Sequence, residues 1–264
     1  MMMRKEDALK DVGLFVLDMD GTVYLGNQLI PGSLDFIHKL EAMGRDYIFF
    51  TNNASRVPSF YVDKLAKMGL TVEESRIVTA GDVCAEFIQE NYPGARVYLN
   101  GTPLLVENWK QKGIDLVDDD PDVAVQSFDT TLTYDKLDRI CRYVRNGVPF
   151  IATHMDTNCP TEDGYMPDCG AMCSLITDST GVKPRFLGKP WRETVDMVMA
   201  ITGHTREEIA FVGDRLYTDV ATGVKNGAKG FLVLTGEADM QTVAESDVEP
   251  TCIFNSLKEM ENYL

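Results

Sequence analysis

Gly13-Leu14-Phe15-Val16-Leu17-Asp18-Met19-Asp20-Gly21-Thr22 is the stretch that decides how this chain is read. An uncharged, mostly apolar run leads straight into two carboxylates two positions apart, and then into a glycine. A continuous apolar run of this length reads as a strand buried on both faces, as in parallel sheets. Tyr47-Ile48-Phe49-Phe50, Ile209-Ala210-Phe211-Val212 and Phe231-Leu232-Val233-Leu234 repeat the pattern. Residues 32–43, 57–68, 191–202 and 217–226 read as helices, each followed by a glycine stop at Gly44, Gly69, Gly203 or Gly227. Strands alternating with helices predict an α/β fold with a parallel sheet.

A second α/β unit is expected in the middle. Arg96-Val97-Tyr98-Leu99, Val123-Ala124-Val125-Gln126 and Phe150-Ile151-Ala152 read as strands. Thr102 and Pro103 read as the cap and first turn of a helix. Residues 133–146 are amphipathic, with Leu137, Ile140, Cys141 and Val144 on one face. The expected organisation is a core over 1–79, an inserted α/β domain over 80–184, and the core again over 185–264.

The chemistry-bearing residues stand at strand ends. Asp18 follows the first strand, Thr51 and Asn52 the second, and Asp214 the third, after Gly213. Open parallel sheets bind ligands beyond the carboxyl ends of their strands. Asp18, Asp20 and Asp214 would crowd anions there, which is costly without a cation or a shared proton. Hard oxygen ligands suit magnesium, which also binds phosphate oxygens. The backbone of Met19 and Gly21 offers N–H groups to a phosphate, and the Thr22 hydroxyl is expected to fix the turn. Asp18 suits nucleophilic attack on phosphorus, Asp20 suits proton transfer to the leaving oxygen, and Lys189 suits neutralisation of phosphate charge. Lys189 follows the expected strand Arg185-Phe186-Leu187.

Composition narrows the partners. The 264 residues carry 41 acidic and 25 basic side chains, a net charge of −16, which disfavours nucleic acid. No apolar run is long enough for a membrane span, and the opening Met1-Met2-Met3-Arg4-Lys5-Glu6-Asp7 lacks the apolar segment of a secretory leader. The expected location is the cytoplasm, with the six cysteines as free thiols. His154, Cys159, Cys169 and Cys173 fall in one stretch, but their spacing matches no zinc pattern. The acidic run Asp118-Asp119-Asp120 lacks calcium-loop spacing.

In their order, Asp18-Met19-Asp20-Gly21-Thr22, Thr51-Asn52-Asn53, Gly188-Lys189-Pro190 and Gly213-Asp214-Arg215-Leu216-Tyr217-Thr218-Asp219 resemble the four motifs of the haloacid dehalogenase superfamily. The large insertion between the second and third is similar to that of the NagD-like and 4-nitrophenylphosphatase-like branch, with its C2-type (class IIA) cap. Gly21-Thr22-Val23-Tyr24 before Pro31-Gly32, and Phe150-Ile151-Ala152-Thr153 leading to Asp156, recur in that branch. The resemblance implies a Rossmann-like core with an inserted cap and a magnesium-dependent phosphatase acting on a small phosphorylated metabolite. Sugar phosphates, nucleoside monophosphates and the artificial 4-nitrophenyl phosphate are in scope. It assigns Asp18 as nucleophile and magnesium ligand, and Asp20 as general acid and base that also ligates magnesium through its backbone carbonyl. Asp214 becomes a further magnesium ligand. Thr51, Asn52 and Lys189 hold the phosphoryl group, and Asp219 orients magnesium waters or Lys189. Caps of this branch often pair, so a homo-oligomer is among the expectations.

The cap loop departs from the branch. Ala-Thr-Asn-Pro-Asp becomes Ala152-Thr153-His154-Met155-Asp156, and Pro-Gly-x-Gly becomes Pro167-Asp168-Cys169-Gly170. That loop faces the leaving group in the family, so Thr153, His154 and Asp156 are the candidate specificity residues, with His154 either touching substrate or standing as a partly exposed loop histidine. Other readings share parts of the pattern. A phosphomutase would pass the same aspartyl-phosphate to a sugar hydroxyl. A receiver-like signalling protein would stop at the phosphoaspartate, but is shorter and lacks an acid at the position of Asp20. A dehalogenase would need neither Asp20 nor magnesium.

Overall fold

The computed structural model describes residues 3–161 and 164–264. Met1 and Met2, at the head of the stretch read for a leader, and residues 162–163, within the expected cap loop, lie outside the described residues. Contacts gather the chain into two compact units. One comprises Met1–Thr51, Val62–Val78 and Lys189–Leu264; the other comprises Asn52–Tyr61 and Thr79–Gly188.

The strands, in chain order, are β1 (Leu14–Leu17), β2 (Tyr24–Leu25), β3 (Gln28–Leu29), β4 (Asp46–Thr51), β5 (Ile77–Thr79), β6 (Arg96–Asn100), β7 (Asp115–Leu116), β8 (Val123–Gln126), β9 (Phe150–Ala152), β10 (Asn158–Thr161), β11 (Gly164–Pro167), β12 (Arg185–Phe186), β13 (Ile209–Gly213), β14 (Lys229–Val233) and β15 (Cys252–Phe254). The sheet of the first unit runs β15-β14-β13-β1-β4-β5. β1 pairs in parallel with β4 on one side and β13 on the other, with Leu17 opposite Phe49 and Val212. The chain leaves β1 toward opposite edges of the sheet before and after the middle segment. The crevice at such a reversal is where an open sheet binds ligands, and the residues just past β1 and β13 are Asp18 and Asp214. Two of the expected apolar strands, β1 and β13, are buried along their whole length. This is an α/β fold with a Rossmann-like parallel core.

The second unit carries its own parallel sheet, ordered β12-β9-β8-β6-β7. Thr102 caps the helix Pro103–Gln111 through its side chain, and Thr133 caps Tyr134–Arg145, which buries Ile140, Cys141 and Val144. These pack with Tyr98, Phe128, Phe150, Cys169, Cys173 and Ile176, so the cysteines serve as small core residues. The expected strand 185–187 forms as β12, but it joins this second sheet, where Arg185 and Phe186 pair with Ile151 and Ala152. Its two residues are enough for an edge position there, and Lys189 begins the next segment of the first unit.

No helix among the described residues is long and apolar enough to cross a membrane. The acidic run near 118–122 forms a polar turn in which Asp120 pairs with Arg96 at 2.9 Å and the Asp122 side chain accepts the Arg96 N–H at 2.8 Å.

Candidate active site

Asp18 leaves β1 with its N–H still donating to the Val212 carbonyl of β13 at 2.8 Å, so the sheet itself aims its side chain. Its Oδ1 accepts a hydrogen bond from Lys189 Nζ at 2.6 Å, and the same ammonium donates to Asp219 Oδ1 at 2.5 Å. Lys189 also reaches the Phe50 carbonyl at 3.4 Å and lies 5.4 Å from the centre of the Phe50 ring. Only 3% of Lys189 is exposed. Burial alone would lower its pKa, but Asp18 and Asp219 outweigh that and hold it charged, above the usual lysine range.

Carboxylate oxygens of Asp18, Asp214 and Asp219 lie within 4.8 Å of one another. Asp219 comes from the π-helical turn Leu216–Val220, and its Oδ2 accepts the Arg215 N–H at 3.1 Å. Asp214 Oδ2 accepts the Glu237 N–H at 2.7 Å. Asp214 Oδ1 is buried and, among the described residues, has no hydrogen-bond partner. A buried carboxylate oxygen without a partner is costly, and a bound cation is one of the few things that relieve it. Burial, and then the nearby Asp219, push the Asp214 carboxyl up to about 6. Burial also drives Asp18 well above the carboxylate range; Lys189 opposes this, while Asp219 and Asp214 add to it. Clustered hard oxygens with one oxygen left over are a group that could hold a hard metal ion.

Glycines make the crowding feasible. A Cβ on Gly21, where φ is 86°, or on Gly236 would fall on the Asp214 carboxylate, and a Cβ on Gly213 would fall on that of Asp219. Gly236 escaped the sequence reading, as did the Glu237 N–H beside it. The available signal was a Thr-Gly pair just past a buried strand, at the same sheet edge as Asp18. Thr235 ties that loop to the first motif by donating to the Gly21 carbonyl at 2.6 Å.

Two expectations for the turn after Asp18 are corrected. The Gly21 N–H is already committed to the Tyr24 carbonyl at 2.8 Å. The Met19 carbonyl accepts the N–H groups of Thr22, Val23 and Tyr24 at 3.3, 2.9 and 3.0 Å. Backbone alone therefore closes the turn, and the buried Thr22 hydroxyl has no partner among the described residues. Among the described residues, the N–H groups of Met19 and Asp20 meet no backbone acceptor in this turn. Asp20 is exposed. Partial burial raises its pKa, against the opposing charges of Lys64 and Arg215. Lys64 sits 4.0 Å over the ring of Tyr24.

Thr51 ends β4 in the first unit, whereas Asn52 groups with the second. Within that second unit, Asn52 Nδ2 donates to Asp156 Oδ2 at 3.2 Å. His154 is neither exposed nor poised in a loose loop: it is fully buried. Its Nε2 bonds Asp168 Oδ1 at 2.8 Å and its Nδ1 lies 3.0 Å from the Thr153 hydroxyl, so its ring is held inside the unit. Burial by itself would lower its pKa, but Asp168 raises it to about 9. Thr153 is likewise fully buried, bonded also to Ser127 at 3.3 Å. His154, Asp156 and Asp168 cluster tightly. Cys159 accepts from Asn53 Nδ2 at 3.7 Å and packs against the core that holds Cys169 and Cys173.

Known proteins match this chain along its length. Residues 15–115 match the family model described as haloacid dehalogenase-like hydrolase, and residues 186–260 the one described as HAD-hydrolase-like. The acid sugar phosphatase of Staphylococcus saprophyticus is 35% identical over 253 residues, covering 96% of this chain and 98% of that protein. The crystal structure of a 4-nitrophenylphosphatase from Thermotoga maritima superposes with a TM-score of 0.93 at 39% identity, covering 98% of this chain and 99% of that one. NagD from Escherichia coli K-12 superposes with a TM-score of 0.87 at 27% identity, covering 94% and 98%. With Asp18, Lys189 and Asp214 standing where the sheet reverses, and with relatives matched almost end to end, the chain belongs to the haloacid dehalogenase-like hydrolases.

Proposed function

We propose that this protein is a magnesium-dependent phosphomonoester hydrolase of small phosphorylated metabolites, sugar phosphates foremost, that works through a phosphorylated Asp18. The observation that carries this reading is the Asp18–Lys189–Asp219 arrangement beside the unpartnered Asp214 oxygen. A cation held by Asp18, Asp214 and the Asp20 carbonyl would neutralise charge on Asp18 and on the phosphate. Lys189, fixed in the charged state, lowers the cost of bringing a dianion against Asp18. Thr51 and Asn52, with the N–H groups of Met19 and Asp20, hold the phosphoryl oxygens.

A carboxylate oxygen of Asp18 then attacks phosphorus, and the bond to the ester oxygen breaks. The leaving alkoxide takes its proton from Asp20, whose raised pKa suits a proton donor. Asp20, now ionised, takes a proton from the water that attacks the phosphoryl group, and phosphate leaves with Asp18 regenerated. The second unit, residues 80–184 with their flanks, serves as the cap that selects the leaving group. The acid sugar phosphatase name of the staphylococcal relative supports sugar phosphates, and the Thermotoga relative supports 4-nitrophenyl phosphate as a probe. The test is phosphate release from a panel of sugar phosphates, nucleoside monophosphates and 4-nitrophenyl phosphate, with magnesium and with a chelator. Release from several sugar phosphates only with magnesium is expected; isomer formation without release would point to a mutase.

A further inference from the structure

Asn52 comes directly after Thr51 and, in the phosphatase reading on which this inference rests, helps to hold the phosphoryl group. An amide side chain has a donor end and an acceptor end, so it grips an anion well only when turned the right way. Here something turns it. Nδ2 donates to Asp156 Oδ2 at 3.2 Å, and the two residues are 6% and 5% exposed. An ionised carboxylate only accepts, so Asp156 requires the nitrogen, not the oxygen, to face it. On the other side, a Cβ on Gly188 would come within 2.9 Å of Asn52 Oδ1 and 2.8 Å of the Thr153 carbonyl. Gly188, at φ 68°, thus leaves room for the oxygen end of the amide.

Asp156 is itself held. Its carbonyl accepts the Gly170 N–H at 2.8 Å, and a Cβ on Gly170 would strike the Met155 carbonyl. Asp168, the cap of the helix Cys169–Thr180, accepts the Cys169 N–H at 2.6 Å and binds His154 at 2.8 Å. The segment Thr153–Asp156 is therefore fastened at His154 and at the Asp156 backbone, and the Asp156 carboxylate accepts from Asn52.

We infer that Asp156 is a positioning residue for Asn52: it fixes the orientation of the amide and so governs how tightly the phosphoryl group is held, whatever the leaving group. The competing role, direct contact with the leaving group, makes opposite predictions. The experiment compares wild type, Asp156→Asn, Asn52→Ala and the double variant by steady-state kinetics on 4-nitrophenyl phosphate and on a sugar phosphate. Competitive inhibition by inorganic phosphate is measured for each. Asp156→Asn keeps shape but no longer dictates which end of Asn52 faces it. It is expected to lower kcat/KM roughly tenfold for both substrates alike and to weaken phosphate inhibition by a similar factor. In the Asn52→Ala background it should do almost nothing further. Unequal losses on the two substrates with phosphate inhibition unchanged, or full additivity with Asn52→Ala, would overturn the inference. Should Asp156→Asn not fold, Asp156→Ser enters the same cycle and is judged by the same two outcomes. A wild-type enzyme that releases phosphate from neither substrate would instead sink the phosphatase reading itself.

Discussion

Lys189 Nζ stands 2.6 Å from Asp18 Oδ1, a buried ammonium against the carboxylate proposed as nucleophile. Lys189 therefore has two duties, to keep the site charged correctly and to keep the fold intact. Lys189→Met would leave Asp18 and Asp219 buried without their cation. Breaking a buried pair from one side costs about 3–5 kcal/mol. The variant is expected to lose that much in urea unfolding and to lose phosphatase activity at least a hundredfold. Asp18→Asn removes the proposed nucleophile but leaves a hydrogen-bonding amide beside Lys189, so it should lose activity about a thousandfold or more with a far smaller stability change.

The unpartnered Asp214 oxygen predicts linkage between cation binding and acidity. With its pKa raised to about 6, the Asp214 carboxyl opposes folding when ionised above that pH, and a cation relieves the penalty. Millimolar magnesium should raise the thermal midpoint at pH 7.5. The gain should shrink as pH falls through 6 and protons replace the ion. Asp214→Asn should abolish the gain, as read by thermal unfolding with magnesium or chelator.

Gly236→Ala is expected to damage the site without touching any reacting atom, because the new methyl falls on the Asp214 carboxylate. The magnesium concentration for half-maximal activity should rise roughly 10- to 100-fold, the range seen when a support of a metal ligand is disturbed. Calorimetric titration of the protein with magnesium alone would show the same shift. Unchanged affinity would mean that the loop yields.

The buried His154–Asp168 pair predicts a stability effect with a definite sign. The folded-state pKa of His154, about 9, lies above the ordinary 6.5. Its contribution is fully present below about pH 6.5 and is lost as pH rises through 9. A shift of that size corresponds to about 3 kcal/mol. His154→Gln should therefore be clearly less stable than wild type at pH 6, with the gap closing toward pH 10, as followed by urea midpoints.

Thr22→Val tests the turn correction. A buried hydroxyl with no partner among the described residues is a cost, so its replacement by a methyl should leave stability within about 1 kcal/mol or improve it. A loss well beyond that would show that the hydroxyl is bonded in solution.

The features legible from sequence were those with a strong local signal. β1, β8 and β9 follow from unbroken apolar runs, and the helix beginning at Pro103 follows from the Thr102–Pro103 pair. Asp18, Lys189 and Asp214 were legible because each follows a strand or stands in a short motif of its own. The helix Ala80–Asn91 was missed because its first turns, Ala80–Ala85, are buried all round, and its exposed residues, Glu86, Gln89, Glu90 and Asn91, come only in its second half. The exposed hairpin of β10 and β11 was missed for the opposite reason, having no apolar face. His154 was misjudged because its environment comes from Asp168, fourteen positions away, and nothing local announces such a partner. Gly236 was missed because its meaning lies in what a side chain there would strike, which spacing does not encode.

The chain passes between its two compact units at Thr51–Asn52, Tyr61–Val62, Val78–Thr79 and Gly188–Lys189. The first and last of these seams fall inside the Thr51-Asn52-Asn53 and Gly188-Lys189-Pro190 motifs, rather than in neutral linkers. Recombination that exchanges the second unit whole would carry Asn52, Asp156 and Gly188 along with it and leave Thr51 and Lys189 behind. In the proposed function, the part that selects a substrate and the asparagine that grips its phosphate would therefore be inherited as one block. Laboratory chimeras cut at residues 80 and 184 would pair one protein's asparagine with another's Asp156, and should be built instead with seams at 51/52, 61/62, 78/79 and 188/189, so that Val62–Val78 stays with the first unit.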